Sequence, residues 1–136
     1  MPTDEELLAI YAATKTIAVV GASSDPNKHS HSIPAYLQSQ GFRIIPVSPK
    51  GGELLGEPVA ISLAAIGGPV DVVDVFRPAE EAPALAREAA AIGAKVLWLQ
   101  AGIWSDEAAH IAEAAGLRVV MDMCMGTTHQ RLFGNF

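Results

Sequence analysis

The sequence predicts an α/β fold, a doubly wound, five-stranded parallel sheet with helices on both faces, and three observations lead to it. Five short apolar runs, at 17–20, 42–47, 70–76, 94–99 and 117–123, are separated by segments with helical spacing. The runs are continuously apolar rather than alternating, as strands buried on both faces are. Strands that alternate with helices join by right-handed crossovers, and such crossovers build parallel sheets.

The elements follow in order. Residues 4–13 carry Leu7, Leu8, Ile10 and Tyr11 at helical spacing, with Thr3 as N-cap and Glu6 completing a capping box. The first strand, 17–20, closes at Gly21. A helix over 33–40 ends at Gly41, where a helix C-terminus favours glycine. The second strand, 42–47, runs into "SPKGG"; a weak, short helix is expected over 60–66 and the third strand over 70–76. An alanine-rich helix spans 78–92 before Gly93, the fourth strand 94–99, a helix 106–115 and the fifth strand 117–123. The chain reads as a single domain, 1–136, with an N-terminal helix within 1–15 and a C-terminal tail over 125–136. The expected strand order is 3-2-1-4-5, which puts the topological switch point beside the first strand. Ligands of such sheets bind at the carboxyl ends of the strands, at that switch.

Composition narrows the function. At 136 residues, half of them hydrophobic, with a mean hydropathy of +0.28, the chain can bury a real core and is not disordered. No apolar run approaches the roughly 20 residues of a membrane span. The N-terminal "MPTDEELLAIYAATK" is acidic and amphipathic, unlike a signal peptide, so a cytoplasmic location is expected. A single cysteine, Cys124, excludes an internal disulfide and a cysteine-rich metal site. The net charge of −6 argues against nucleic acid as a partner.

The strand ends carry the chemistry. After the first strand, "GASSDPNKHS" offers one glycine for a tight turn and a following helix start, whose N–H groups and dipole favour an anion. Lys28, His29 and His31 add positive character, although a lone glycine turn also fits a purely structural junction. The two histidines read as solvated helix-start residues, and without acidic or cysteine partners they make no metal site. After the second strand, an NAD-binding domain would place an acid for the ribose hydroxyls; Ser48, Pro49 and Lys50 stand there instead. A cation there suits a phosphorylated ribose, as in NADP or coenzyme A, while a surface lysine in a turn is the plainer reading. After the third strand, Phe76 and Arg77 can pack on an adenine or meet a phosphate, or simply serve core and surface. Asp71 reads as a turn residue and Asp74 as a hydrogen-bonded structural group, since their odd spacing puts them on opposite faces of a strand. After the fourth strand, Gln100 offers an amide and Gly102 allows close approach; Trp98 and Trp104 read as packing residues. Cys124 has no general base beside it and reads as a small core residue, with a mixed disulfide to a ligand thiol left open by its place at the same end of the sheet. No catalytic residue emerges.

Taken together, "VVGAS…P.K.S", "GFRIIPVSPK", "VDVVDVFR", "GAKVLWLQAGI" and "AGLRVVMDMC" resemble the stand-alone CoA-binding proteins. Those are similar to the Rossmann-like CoA-binding domain of the succinyl-CoA synthetase α subunit. The resemblance runs from about Ile17 to Cys124. It implies that Gly21, Ala22, Ser23, Lys28 and Ser30 hold the CoA phosphates, and that Ser48, Pro49 and Lys50 approach the ribose phosphate. It also implies that Phe76 and Arg77 flank the adenine end and that Gln100, Gly102 and Ile103 line the route to the pantetheine. Ser48 departs from the asparagine the family often has, and Met123 stands where it often has arginine before the cysteine.

The resulting expectation is non-catalytic binding of coenzyme A or an acyl-CoA, as a sensor, store or accessory module. The synthetase's phosphorylated histidine belongs to a second domain beyond this stretch, so ligase chemistry is not expected here. The alternatives are a small NADP-binding oxidoreductase, disfavoured by the incomplete glycine fingerprint, and a subunit of a multi-chain acyl-CoA synthetase.

Overall fold

The computed structural model describes residues 1–134. In chain order it contains α1 (Asp4–Ala13), β1 (Thr16–Val20), α2 (His29–Ser39), β2 (Arg43–Val47), the short hairpin of β3 (Glu53–Leu54) and β4 (Glu57–Pro58), and β5 (Val72–Val75). Then come α3 (Ala82–Ala91), β6 (Val96–Leu99), α4 (Asp106–Ala114), β7 (Arg118–Val120) and α5 (Met125–Phe133). Thr3 caps α1 in the expected capping box, its hydroxyl accepting from the Glu6 N–H at 3.1 Å.

The main sheet is five-stranded and parallel, in the order β2-β1-β5-β6-β7. Counted over the five long strands this is 2-1-3-4-5, which corrects the expected 3-2-1-4-5. The outer side of β2 is covered not by a strand of the sheet but by the loop around Ala60. The Ala60 N–H donates to Pro46 O at 2.9 Å and Ala60 O accepts from the Ser48 N–H at 2.9 Å. Pro46 has no N–H to offer a neighbouring strand on that side, so β2 is suited to the edge. The third long strand therefore pairs with the free side of β1, Ile17 opposite Val72 and Val20 opposite Val75. The switch point stays beside β1, now between β1 and β5.

Alternate strand residues supply two cores. On one face Ala18, Val20, Val73, Val75, Leu97 and Leu99 pack under α3, α4 and the 3-10 turn Leu63–Ala65. The helices meet the sheet through Ala82, Ala86, Ala89, Ala108 and Ala112, small side chains that let backbones approach closely. The other face buries Ile17, Val19, Val72, Trp98 and Val120 beneath α1, α2 and α5.

Residues 125–133, read from sequence as part of a tail, form α5; Asn135 and Phe136 lie outside the described residues. Gly126 brings α5 against α2, since a Cβ there would sit 2.9 Å from Ile33 Cγ2. His129, buried on α5, stacks among Tyr11, Tyr36, Phe42 and Phe133, and the Tyr36 hydroxyl donates to its Nδ1 or accepts from it at 2.9 Å. Burial holds the His129 imidazole below its ordinary pKa. Tyr11 donates its hydroxyl to Met125 O at 2.7 Å, tying α1 to the start of α5.

Candidate anion-binding cleft

The carboxyl ends of β1, β2 and β5 open into a cleft of about 790 Å³. Gly21, Ala22, Ser23, Lys28, Ser30, Ser48, Pro49, Lys50, Phe76 and Arg77 all line it, so three turns distant in sequence meet at the switch point. Gln100, Gly102 and Ile103 stand outside it, at the end of β6. Gln100 is buried and its amide donates to Asp74 Oδ1. The Gly102 N–H donates to Asp122 Oδ1 at 2.7 Å and Ile103 O accepts from the Asp122 N–H at 3.1 Å. These two bonds tie the loop after β6 to Asp122, just beyond β7, whose φ is 54°.

Gly21 cannot be replaced without cost. Its φ is +88°, and a Cβ there would lie 2.9 Å from Arg77 Cδ and 3.2 Å from Phe76 O. The alkyl stem of Arg77 thus crosses directly over the turn. The turn is held from within. Asp25 O accepts from the Lys28 N–H at 3.0 Å, and Asp25 Oδ1 accepts from the Asn27 N–H at 2.9 Å.

Ser23 is clamped at both ends of its peptide by α2. Its N–H donates to Ser30 O at 3.1 Å, a carbonyl that Pro34, having no N–H, cannot engage. Its own carbonyl meets His31 Nδ1 at 2.8 Å; a carbonyl only accepts, so Nδ1 carries the proton. His31 is therefore a support of the turn rather than a solvated helix-start residue, and sequence reading missed the role of Pro34 entirely. The helix begins at His29, four residues before the expected start.

Lys28 stands at the N-cap of α2 without a side-chain capping bond; the His31 N–H donates to Lys28 O at 3.0 Å, while the His29 and Ser30 N–H groups keep their capacity for an outside acceptor. Neither Lys28 nor Lys50 is in an ion pair with any described residue. A left-handed glycine, a helix start lacking a side-chain cap and two free cations suit a phosphate-bearing nucleotide, and the missing acid after β2 suits a phosphorylated ribose.

The remaining candidates have structural tasks. Asp71 Oδ2 accepts from the Lys15 and Thr16 N–H groups at 2.9 Å each, at the opposite end of the sheet from the cleft. Asp74 is fully buried; Oδ2 has no partner, and burial pushes its carboxyl up to about 7. Cys124 is half-buried rather than core, and its Sγ accepts from the Thr127 N–H at 3.5 Å as the N-cap of α5. Trp98 is fully buried as expected, whereas Trp104 is 48% exposed, its indole donating to Asp106 Oδ1 at 2.9 Å. No group of three or more potential metal ligands exists among the described residues, and no described helix is long and apolar enough to cross a membrane.

This sheet and its switch-point cleft define a Rossmann-like α/β protein. The chain belongs to the CoA binding domain family, whose model matches residues 15–130. It is 39% identical over 128 residues to the uncharacterized protein YneT of Bacillus subtilis (strain 168), covering 94% of this chain and 95% of that one. A Thermus thermophilus structure, cell-free ID.343, is similar with a TM-score of 0.92 at 42% identity, covering 97% of this chain and all of that one. The dinucleotide-forming acetyl-coenzyme A synthetase 1 of Ca. Korarchaeum cryptofilum, solved with phosphate and ADP, has a TM-score of 0.73 at 25% identity. That likeness covers 79% of this chain and 26% of the synthetase.

Proposed function

We propose that the protein binds coenzyme A or an acyl-CoA without catalysis, as a cytoplasmic sensor, store or accessory module. The observation that carries this is the basic, acid-free turn of Ser48, Pro49 and Lys50 beside the Gly21 turn in one cleft. In this reading Gly21, Ala22, Ser23, Lys28 and Ser30 hold the pyrophosphate, with the dipole of α2 behind it. Ser48, Pro49 and Lys50 meet the 3′-phosphate. Phe76 and Arg77 flank the adenine end, with the Arg77 guanidinium, whose stem crosses the Gly21 turn, on the pyrophosphate side. The pantetheine runs from the cleft past Gln100, Gly102 and Ile103 at the end of β6. No residue here is assigned a proton transfer or a nucleophilic step.

A thermal-shift titration with CoA, acetyl-CoA, NADP and NAD tests the reading. A ligand at 100 times its dissociation constant stabilises the folded state by about 2.7 kcal/mol, a readily measured shift. CoA and acetyl-CoA should raise Tm and NAD should not. Stabilisation by NADP without CoA would sink the reading in favour of a small oxidoreductase. The likeness to one part of a synthetase favours a second reading, a subunit lending this domain to a separate ATP-using chain. Co-purification with such a chain from native cells would support it.

A further inference from the structure

The three cations lining the cleft are not equivalent. Lys28 and Lys50 have no ion-pair partner among the described residues, whereas Arg77 is gripped by Glu81. Arg77 Nε donates to Glu81 Oε1 at 3.1 Å and Nη2 donates to Oε2 at 2.7 Å, a two-pronged pair. Its local origin is plain: Arg77 lies two residues beyond the end of β5 and Glu81 ends the 3-10 turn Ala79–Glu81, so the carboxylate returns over the arginine arm. The arm is fixed at its other end too, because its Cγ and Cδ lie against the Gly21 turn. A guanidinium is thus held across the phosphate turn with its fork already filled by two oxygens, the geometry a phosphate presents. The Arg77 side chain is 47% exposed and that of Glu81 46%, and both line the cleft, so an incoming ligand can reach the pair.

We propose that Glu81 is a resident substitute for the ligand's phosphate, occupying the Arg77 fork in the free protein and yielding it when a phosphate enters. Ligand capture is then an anion exchange, and Glu81 sets its affinity. The identity of the natural ligand rests on the CoA reading of the same cleft; the exchange itself needs only a phosphate. An exposed carboxylate–guanidinium pair is weak enough to be displaced by a more highly charged group. A ligand with a single weak negative charge gains little from displacing it, so Glu81 favours phosphate-rich ligands over merely acidic ones.

Isothermal titration with CoA and, separately, inorganic pyrophosphate tests this on the wild type, Glu81→Gln, Arg77→Ala and the double variant. Glu81→Gln should tighten both ligands about two- to fivefold, less at high salt, and should have no effect when Arg77 is absent. Unchanged binding overturns the exchange; weakened binding assigns Glu81 to positioning Arg77 instead; equal tightening without Arg77 reduces it to general charge. If pyrophosphate behaves as described while CoA does not bind the wild type, the exchange stands and the coenzyme reading falls. If neither binds, both fall. Thermal melts of each variant establish that it is folded.

Discussion

At the scale of single residues, a crowded glycine in the cleft and a buried carboxyl in the sheet carry testable consequences. Gly21 is required twice over, by its left-handed backbone and by the Arg77 stem lying where its Cβ would be. Asp74 is fully buried in β5, with Oδ1 accepting from Gln100 and Oδ2 orphaned, so burial disfavours its ionised form. Its folded-state pKa, about 7, lies above the ordinary 3.8, so the folded chain holds this proton more tightly than the unfolded chain does. That contribution is complete below about pH 4 and is lost as pH rises through about 7. Its full extent is on the order of 4 kcal/mol, because each tenfold gain in proton affinity is worth about 1.4 kcal/mol. Asp74→Asn keeps an acceptor for Gln100 and cannot ionise. Urea unfolding at pH 5 and pH 8 should show a smaller difference in the variant than in the wild type. An equal difference in both would remove Asp74 as its source.

At the scale of elements, α2 does more than cross between strands. Pro34 interrupts its hydrogen-bond ladder and releases Ser30 O to clamp Ser23. Pro34→Ala restores an N–H that competes for Ser30 O, while alanine is the better helix former by about 3 kcal/mol in a helix interior. The expected outcome is a Tm no lower than wild type together with CoA affinity weakened several-fold. Weakened affinity with a collapsed Tm would instead mean that Pro34 serves packing alone. The alanine faces of α3 and α4 act in the opposite sense, with no bulk to spare. Ala86 is fully buried against the sheet, and Ala86→Leu should lower unfolding free energy by about 1–3 kcal/mol through overpacking. Chemical denaturation measures it.

At the scale of the whole molecule, α5 closes one face of the sheet, covering Tyr11 with His129 and Phe133 and placing fully buried Met125 in the core. Deleting residues 125–136 should therefore expose that aromatic core, with dye binding and loss of a cooperative melt. A dispensable tail would leave the melt unchanged. The sequence was legible wherever a local rule operated. The capping box at Thr3 and Glu6, the five apolar runs and the glycines that end helices all act within a few residues, as does the glycine turn after the first strand. It was illegible at α5 because Gly126, Thr127 and Thr128 are poor helix formers, and packing against α2 and the aromatic cluster supplies what propensity does not. The strand order was misread although one signal was present: Pro46 in the second strand marks an edge, because no neighbour there can receive its missing N–H. By itself, then, the sequence determined the α/β class, the alternation of elements and which turns carry glycine and cations, because these follow from short-range sterics, periodicity and charge. Only the tertiary structure decided that β5 lies beside β1, that Arg77 crosses the Gly21 turn into the grip of Glu81, and that Gln100 turns inward to a buried Asp74. Those are contacts between distant segments, chosen by how whole faces pack and which edges remain open.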